Sequence, residues 1–148
     1  MQTRSLAALF ILLALNVAGA TPGHSSQGVD AAAAAYAEAL KSGTPKDVAA
    51  FFAEDGELQL PGMDAVRGPA AIDAFIAPMA AAGVVDACTM QSDLTTVSGD
   101  TAAQFGHYAQ TGGERGKEHH TYTGRFAALW RWEGGRWRIV RLLMQPKP

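Results

Sequence analysis

The hydrophobic period of this chain changes once, at Gly83, and that change constrains its architecture more than any other feature. Ahead of Gly83, apolar residues recur three and four apart: Val48, Phe51 and Phe52, then Ile72, Phe75, Ile76 and Met79. That is the spacing of one helix face. Beyond Gly83 the period is two, the spacing of one strand face. Helices first and strands after define an α+β domain, with helices packed on one sheet face. Asp30 is placed to cap a first helix running through Tyr36 and Leu40 to Gly43. Thr44-Pro45 opens a second helix carrying Val48, Phe51 and Phe52, and Glu57 to Leu60 follows as a short extended piece. Gly68-Pro69 opens a third helix, closed by Ala81-Ala82-Gly83. Strands are predicted from Val84 to Val97, Thr101 to Thr111, His119 to Trp132 and Arg136 to Met144. The sheet then has four to five mainly antiparallel strands, and its open ends favour a homodimer.

The first twenty residues read as an address. Arg4 precedes an unbroken apolar run from Leu6 to Leu15, and Ala18-Gly19-Ala20 gives a small-residue cleavage pattern. This is the pattern of a secretory signal peptide over residues 1–20. A spanning helix needs about 20 apolar residues, and Asn16 interrupts this run. Cleavage is expected after Ala20, giving a periplasmic or secreted protein with no membrane association afterwards. Residues 21–28 (TPGHSSQG) read as a flexible linker and residues 29–146 as the domain. One cysteine, Cys88, excludes an internal disulfide and any multi-cysteine metal site. It lies in an apolar-leaning segment and is expected to be buried.

With 48% hydrophobic and 18% charged residues the chain is globular, not disordered. A net charge of -2 excludes a strongly basic nucleic-acid binder. The charge is uneven: Arg125, Arg131, Arg136, Arg138 and Arg141 crowd the last two strands, while most acids lie earlier. Such a face either meets an anion or is a solvated surface whose arginines pair with helix carboxylates.

Two segments carry a family resemblance. FFAEDGELQLPGMDAVRGPAAIDAFI (Phe51 to Ile76) has an aromatic helix end, an acidic turn, a short strand and Arg-Gly before the third helix. GRFAALWRWEGGRWRIVRLLM (Gly124 to Met144) is a terminal hairpin built around Gly135-x-Trp137. Together they resemble the nuclear transport factor 2-like superfamily, closest to its SnoaL-like and small bacterial branches. The resemblance implies a cone-shaped α+β fold with a cavity between curved sheet and helices, and frequently a homodimer. It does not imply one function. Set against the ketosteroid isomerase branch, the helix-one tyrosine falls on Tyr36, the base position on Leu60 and the second oxyanion donor on Ala128. Leu60 and Ala128 can neither carry nor donate a proton, so isomerase activity of that kind is not expected.

Parity on the third long strand sends His120, Tyr122, Phe126, Ala128, Trp130 and Trp132 towards the helices, since that set is far more apolar than His119, Thr121, Thr123, Arg125 and Arg131. On the strand before it, the resemblance implies that Phe105, His107 and Ala109 point inward. The expected ligand-binding residues are Leu60, Phe105, Tyr122, Phe126, Ala128, Trp130 and Met144. The candidate catalytic residues are His107, Tyr36 and His120. His107 suits general acid/base work, since an imidazole can both give and take a proton, or is a core histidine bonded to the backbone. Tyr36 donates into the cavity or is a core tyrosine with its hydroxyl at the edge. His119 and His120 point oppositely in a regular strand, so no metal is expected. No dinucleotide fingerprint or phosphate loop occurs, and no cofactor is expected. The leading reading is an exported domain that binds a small apolar or amphipathic molecule. The alternative is an exported SnoaL-like enzyme of cyclase, dehydratase or hydrolase type, using a His-Tyr cluster. A third reading is a pure dimerisation module.

Overall fold

The computed structural model describes residues 23–147, so the expected signal peptide lies outside the described residues. The chain forms α1 (Ser26–Ser42), α2 (Pro45–Ala49), β1 (Phe52–Gln59), β2 (Val66–Arg67), α3 (Pro69–Ala82), β3 (Gly83–Ser98), β4 (Thr101–Glu114), β5 (His120–Glu133) and β6 (Arg136–Pro146). The strands make one six-stranded sheet in the order β2-β1-β6-β5-β4-β3. Every pairing is antiparallel except β1 with β6, which run parallel. Among the described residues no helix is long and apolar enough to cross a membrane.

The α+β order is as expected, and three local readings change. The sheet has six strands, not four to five, because β2 joins it through only two pairs, Glu57 with Arg67 and Leu58 with Val66. Two residues are too few to show a period. Phe52 belongs to β1, not to the second helix: Ile139 N–H donates to the Phe51 carbonyl at 2.8 Å and draws the chain into the sheet. The first helix starts at Ser26, capped by the Ser25 side chain, which accepts from Gly28 N–H. Asp30 is therefore not the cap. Its carboxylate instead accepts from Gln104 Nε2 at 2.8 Å and Thr95 Oγ1 at 2.6 Å, tying α1 to β3 and β4. The stretch expected as a linker is anchored from Gly23 onward. Trp137 Nε1 donates to the Gly23 carbonyl at 2.8 Å, and the His24 ring stacks on Trp132 with centroids 5.0 Å apart. These aromatic partners lie on β5 and β6, more than a hundred positions away, where local composition gives no hint of them.

The helices cover one face of the sheet. There β4 presents Ala102, Gln104 and Tyr108, β5 presents Phe126, Ala128 and Trp130, and β6 presents Ile139 and Leu142, all buried. Val29, Ala33 and Tyr36 of α1 and Ile72 of α3 close over them. Each large apolar side chain so buried contributes about 1.5–3 kcal/mol. Gln104 is the one buried amide in this layer, and it is satisfied, accepting from Trp130 Nε1 and donating to Asp30. Two cross-strand pairs match a glycine with an aromatic ring: Gly106 with Phe126, and Tyr108 with Gly124. A Cβ at Gly124 would stand 2.6 Å from the Tyr108 ring, and one at Gly106 would stand 2.8 Å from Phe126. Each ring thus lies across its neighbour's bare backbone. Strand β3 carries bulges between Val85 and Ala87 and between Ser92 and Leu94. Bulges of this kind bend a strand and re-aim its side chains.

Candidate functional site

Between the three helices and the helix-facing side of the sheet lies a cavity of about 590 Å³. Its walls come from every layer: Leu40 of α1, Val48 of α2, Phe75, Ile76 and Met79 of α3, Leu58 of β1, Val84 and Val85 of β3, Tyr108 of β4, Tyr122 of β5 and Met144 of β6. Leu60, just beyond β1, completes them. The volume falls within the about 300–1,000 Å³ usual for small-molecule sites, and the walls are mainly apolar, as such sites are. A second cavity, of about 770 Å³, opens beside Gly23, the first described residue, and a third, of about 430 Å³, opens along the sheet beside Phe105 and Leu143. The third does not lie between helices and sheet; the second lies between α1, α2 and the β5–β6 end of the sheet and takes no wall from α3.

Five side chains give the first cavity its polar character: Tyr108, Gln110, Tyr122, Lys41 and Arg115. No Asp or Glu is among its lining residues. Burial raises the Tyr108 hydroxyl above the ordinary phenol range, and the nearby Cys88 sulfur adds to the rise, so it stays a neutral donor. Tyr36 is shifted further in the same direction, again chiefly by burial. Cys88 is half-buried, less than expected, and burial pushes its thiol up too, which makes it a poor nucleophile.

The expected site residues separate into groups. Leu60, Tyr122 and Met144 line the cavity. Phe126, Ala128 and Trp130 face the helices as parity requires, but they are packed into the core and do not line this cavity. Tyr36 is also core, edge-on to Phe51 and Phe52 at 5.7 and 6.0 Å. Phe105 and His107 point away from the helices, contrary to expectation. The register explains why. Residues paired across two strands share a face, and inward Phe126 pairs with Gly106, so Gly106 and Tyr108 are inward and their odd-numbered neighbours outward. His107 lies on the outer face, its Nδ1 3.1 Å from Asp93 Oδ1 and its Nε2 2.9 Å from Gln91 Oε1. The His107-Tyr36 cluster therefore does not form. His120 is exposed at the start of β5, while His119 turns to Asp86, with Nδ1 2.6 Å from Oδ2. Among the described residues no three of His, Cys, Asp and Glu converge as metal ligands. Sequence reasoning missed Tyr108, Gln110 and Arg115. The signal for Tyr108 was present, as two strand glycines spaced to face two aromatic rings.

Arg125, Arg131 and Arg141 are paired with acids from strands, not helices, while Arg138 donates to the Ala50 carbonyl. Arg131 meets Asp55 at 2.6 Å and Glu133 at 3.0 Å. Glu57, buried, is held between Arg67 at 2.7 Å and Arg141 at 2.6 Å.

Helices closing one face of a mixed, mostly antiparallel sheet over an apolar cavity define the α+β fold of the nuclear transport factor 2-like superfamily. Within it, residues 33–140 match the SnoaL-like domain, and the chain belongs to that family. Over 57 residues it is 46% identical to a steroid Δ-isomerase of Nocardioides simplex, a match covering 38% of this chain and 46% of that relative. The match thus spans about half the length of that relative. Among solved structures, a ketosteroid isomerase-like protein of Erwinia carotovora atroseptica superposes with a TM-score of 0.71 at 18% identity, covering 86% of this chain and 98% of the other. An NTF2-like protein with a cystatin-like fold from Novosphingobium aromaticivorans gives 0.67 at 24% identity, over 80% and 79%. An NTF2-like superfamily protein of Salmonella enterica gives 0.67 at 16% identity, over 83% and 91%. At these identities the likeness shows the fold.

Proposed function

We propose that this chain is an exported domain that binds a small apolar or amphipathic molecule in the cavity beneath its helices. The observation that carries the reading is the cavity itself: an open cleft lined by apolar residues of all three helices, with Tyr108, Gln110 and Tyr122 as neutral polar groups. Export rests on the pattern of residues 1–20. The partial match to a steroid isomerase supports an apolar ligand. It does not support that relative's proton transfer, because apolar Leu60 and Ala128 stand where the base and second donor align. The enzyme reading through a His-Tyr cluster loses its support with His107 on the opposite face.

The test is binding of Nile red, a neutral apolar fluorophore, to the purified mature chain. Binding at micromolar concentration is expected, weakened about tenfold or more (~1.4 kcal/mol) by Leu60→Trp, which fills the cavity. His107→Ala should leave it unchanged. No binding by the native chain, or binding indifferent to Leu60→Trp with the circular dichroism intact, would overturn the reading.

We also propose that the outer sheet face packs against a second copy. Leu94, Phe105, Leu129 and Leu143 are exposed there by 56, 50, 47 and 40%. Register places Leu94, Phe105, Ala127 and Leu143 in one row across β3, β4, β5 and β6. Charged groups of both signs flank the row: Asp93 and Arg125 on one side, Asp55, Arg131 and Glu133 on the other. A two-fold axis along the row sets one flank of each copy against the other flank of its partner, and with both signs on each flank acids can meet arginines across it.

A further inference from the structure

We infer that the cavity takes an amphipathic organic acid: an apolar body inside and a carboxylate at the mouth, received by Arg115 with Lys41. The inference rests on the cavity reading above and specifies its ligand. Two of the cavity's lining residues carry positive charge and none carries negative charge. The imbalance is local, since the whole chain is slightly acidic. Lys41 is already engaged, with Glu38 at 3.1 Å, but that pair is an exposed i, i+3 contact of the kind worth little and easily exchanged. Arg115 differs. Among the described residues it has no carboxylate within ion-pair distance; its Nη2 donates to the Ala80 carbonyl at 3.2 Å, and its backbone N–H to the Ala82 carbonyl at 3.1 Å. Both acceptors lie in the last turn of α3. The backbone bond fixes the residue at the helix end, the side-chain bond holds one nitrogen of the exposed guanidinium there, and its remaining donors are unassigned. A guanidinium fixed in this way presents a planar fork that matches a carboxylate bidentately. Buried Tyr108, half-buried Gln110 and exposed Tyr122 add neutral groups to the same wall. An ammonium head would meet two like charges, and a neutral head would forgo the fork.

The experiment displaces Nile red with three ligands that share one chain, decanoate, decanol and decylammonium, at low ionic strength. Decanoate is expected to bind about tenfold more tightly than decanol, with decylammonium weakest. Arg115→Gln should remove the preference for decanoate and leave decanol unchanged, while Arg115→Lys, which keeps the charge without the fork, should restore part of it. Added salt should weaken decanoate alone. If decanol equals decanoate, or if Arg115→Gln leaves decanoate binding intact, the anionic head group is wrong while the cavity reading stands. If Nile red itself fails to bind, the cavity reading falls and takes this inference with it.

Discussion

At the scale of single residues, the informative positions are those where a missing side chain makes room for another. Gly124 is buried beside the Tyr108 ring, and a Cβ there would also stand 2.3 Å from the Gln145 carbonyl. Backbone cannot retreat as a side-chain tip can, so Gly124→Ala is expected to cost about 1–3 kcal/mol, read as a lower urea midpoint at unchanged slope. An unchanged midpoint would mean that β5 and β6 give way more easily than close packing allows. The same positions explain what the sequence disclosed and what it hid. Inward Phe126, Ala128 and Trp130 were legible because they alternate with Arg125, Leu129 and Arg131 in a mostly apolar-polar rhythm. On β4 the rhythm inverts: the buried set includes Gln104 and Gly106, and the exposed set includes Phe105. The family resemblance, carried over without the register, misplaces His107 there, because the aromatic ring that fills the space over Gly106 belongs to β5.

Elements were legible where backbone chemistry marks their ends. Gly43 closes α1, Thr44-Pro45 opens α2 with a capping box to Asp47, and Gly68-Pro69 opens α3. The start of α1 was not legible, because Ser25 and Asp30 are both good caps. What separates them is Asp30's pair of bonds to β3 and β4. The hairpin between β4 and β5 carries an ionisable contact of its own, from His119 to Asp86 of β3. The Asp86 hydrogen bond, and then its charge, raise the imidazole above its ordinary 6.5, against an opposing desolvation. A group whose folded pKa is raised lends its stabilisation in full below the unfolded value and loses it as pH climbs through the folded one. Stability should therefore fall slightly from about pH 6 to about pH 8, and Asp86→Asn should flatten that slope. An NMR titration of His119 checks the assignment: a midpoint unmoved by Asp86→Asn would refute it.

On the scale of the whole molecule, the sheet serves two purposes, one per face. The helix-facing side builds the cavity; the other exposes an apolar row between charged flanks. Placing a carboxylate in that row by Phe105→Asp is expected to convert a dimer into a monomer by sedimentation, with Nile red binding retained. A native chain that sediments as a monomer would dispose of the second copy. The cavity's existence was legible through the family resemblance, and three of its walls by residue. Its charge was not, because Lys41 and Arg115 are brought together only by folding, from the end of α1 and the turn after β4.

The anchoring of Gly23 and His24 on Trp132 and Trp137 gives the domain a polarity. These contacts sit at the end of the sheet where β3 turns into β4 and β5 into β6. From there α1 travels roughly 25 Å to Lys41 at the cavity. Pro146, by contrast, lines the cavity itself. The two ends of the domain are therefore unequal as handles. A tether joined ahead of Gly23 would leave the domain at the end of the sheet away from Lys41 and the cavity. Anything attached after Lys147 would lie beside the cavity that Pro146 lines.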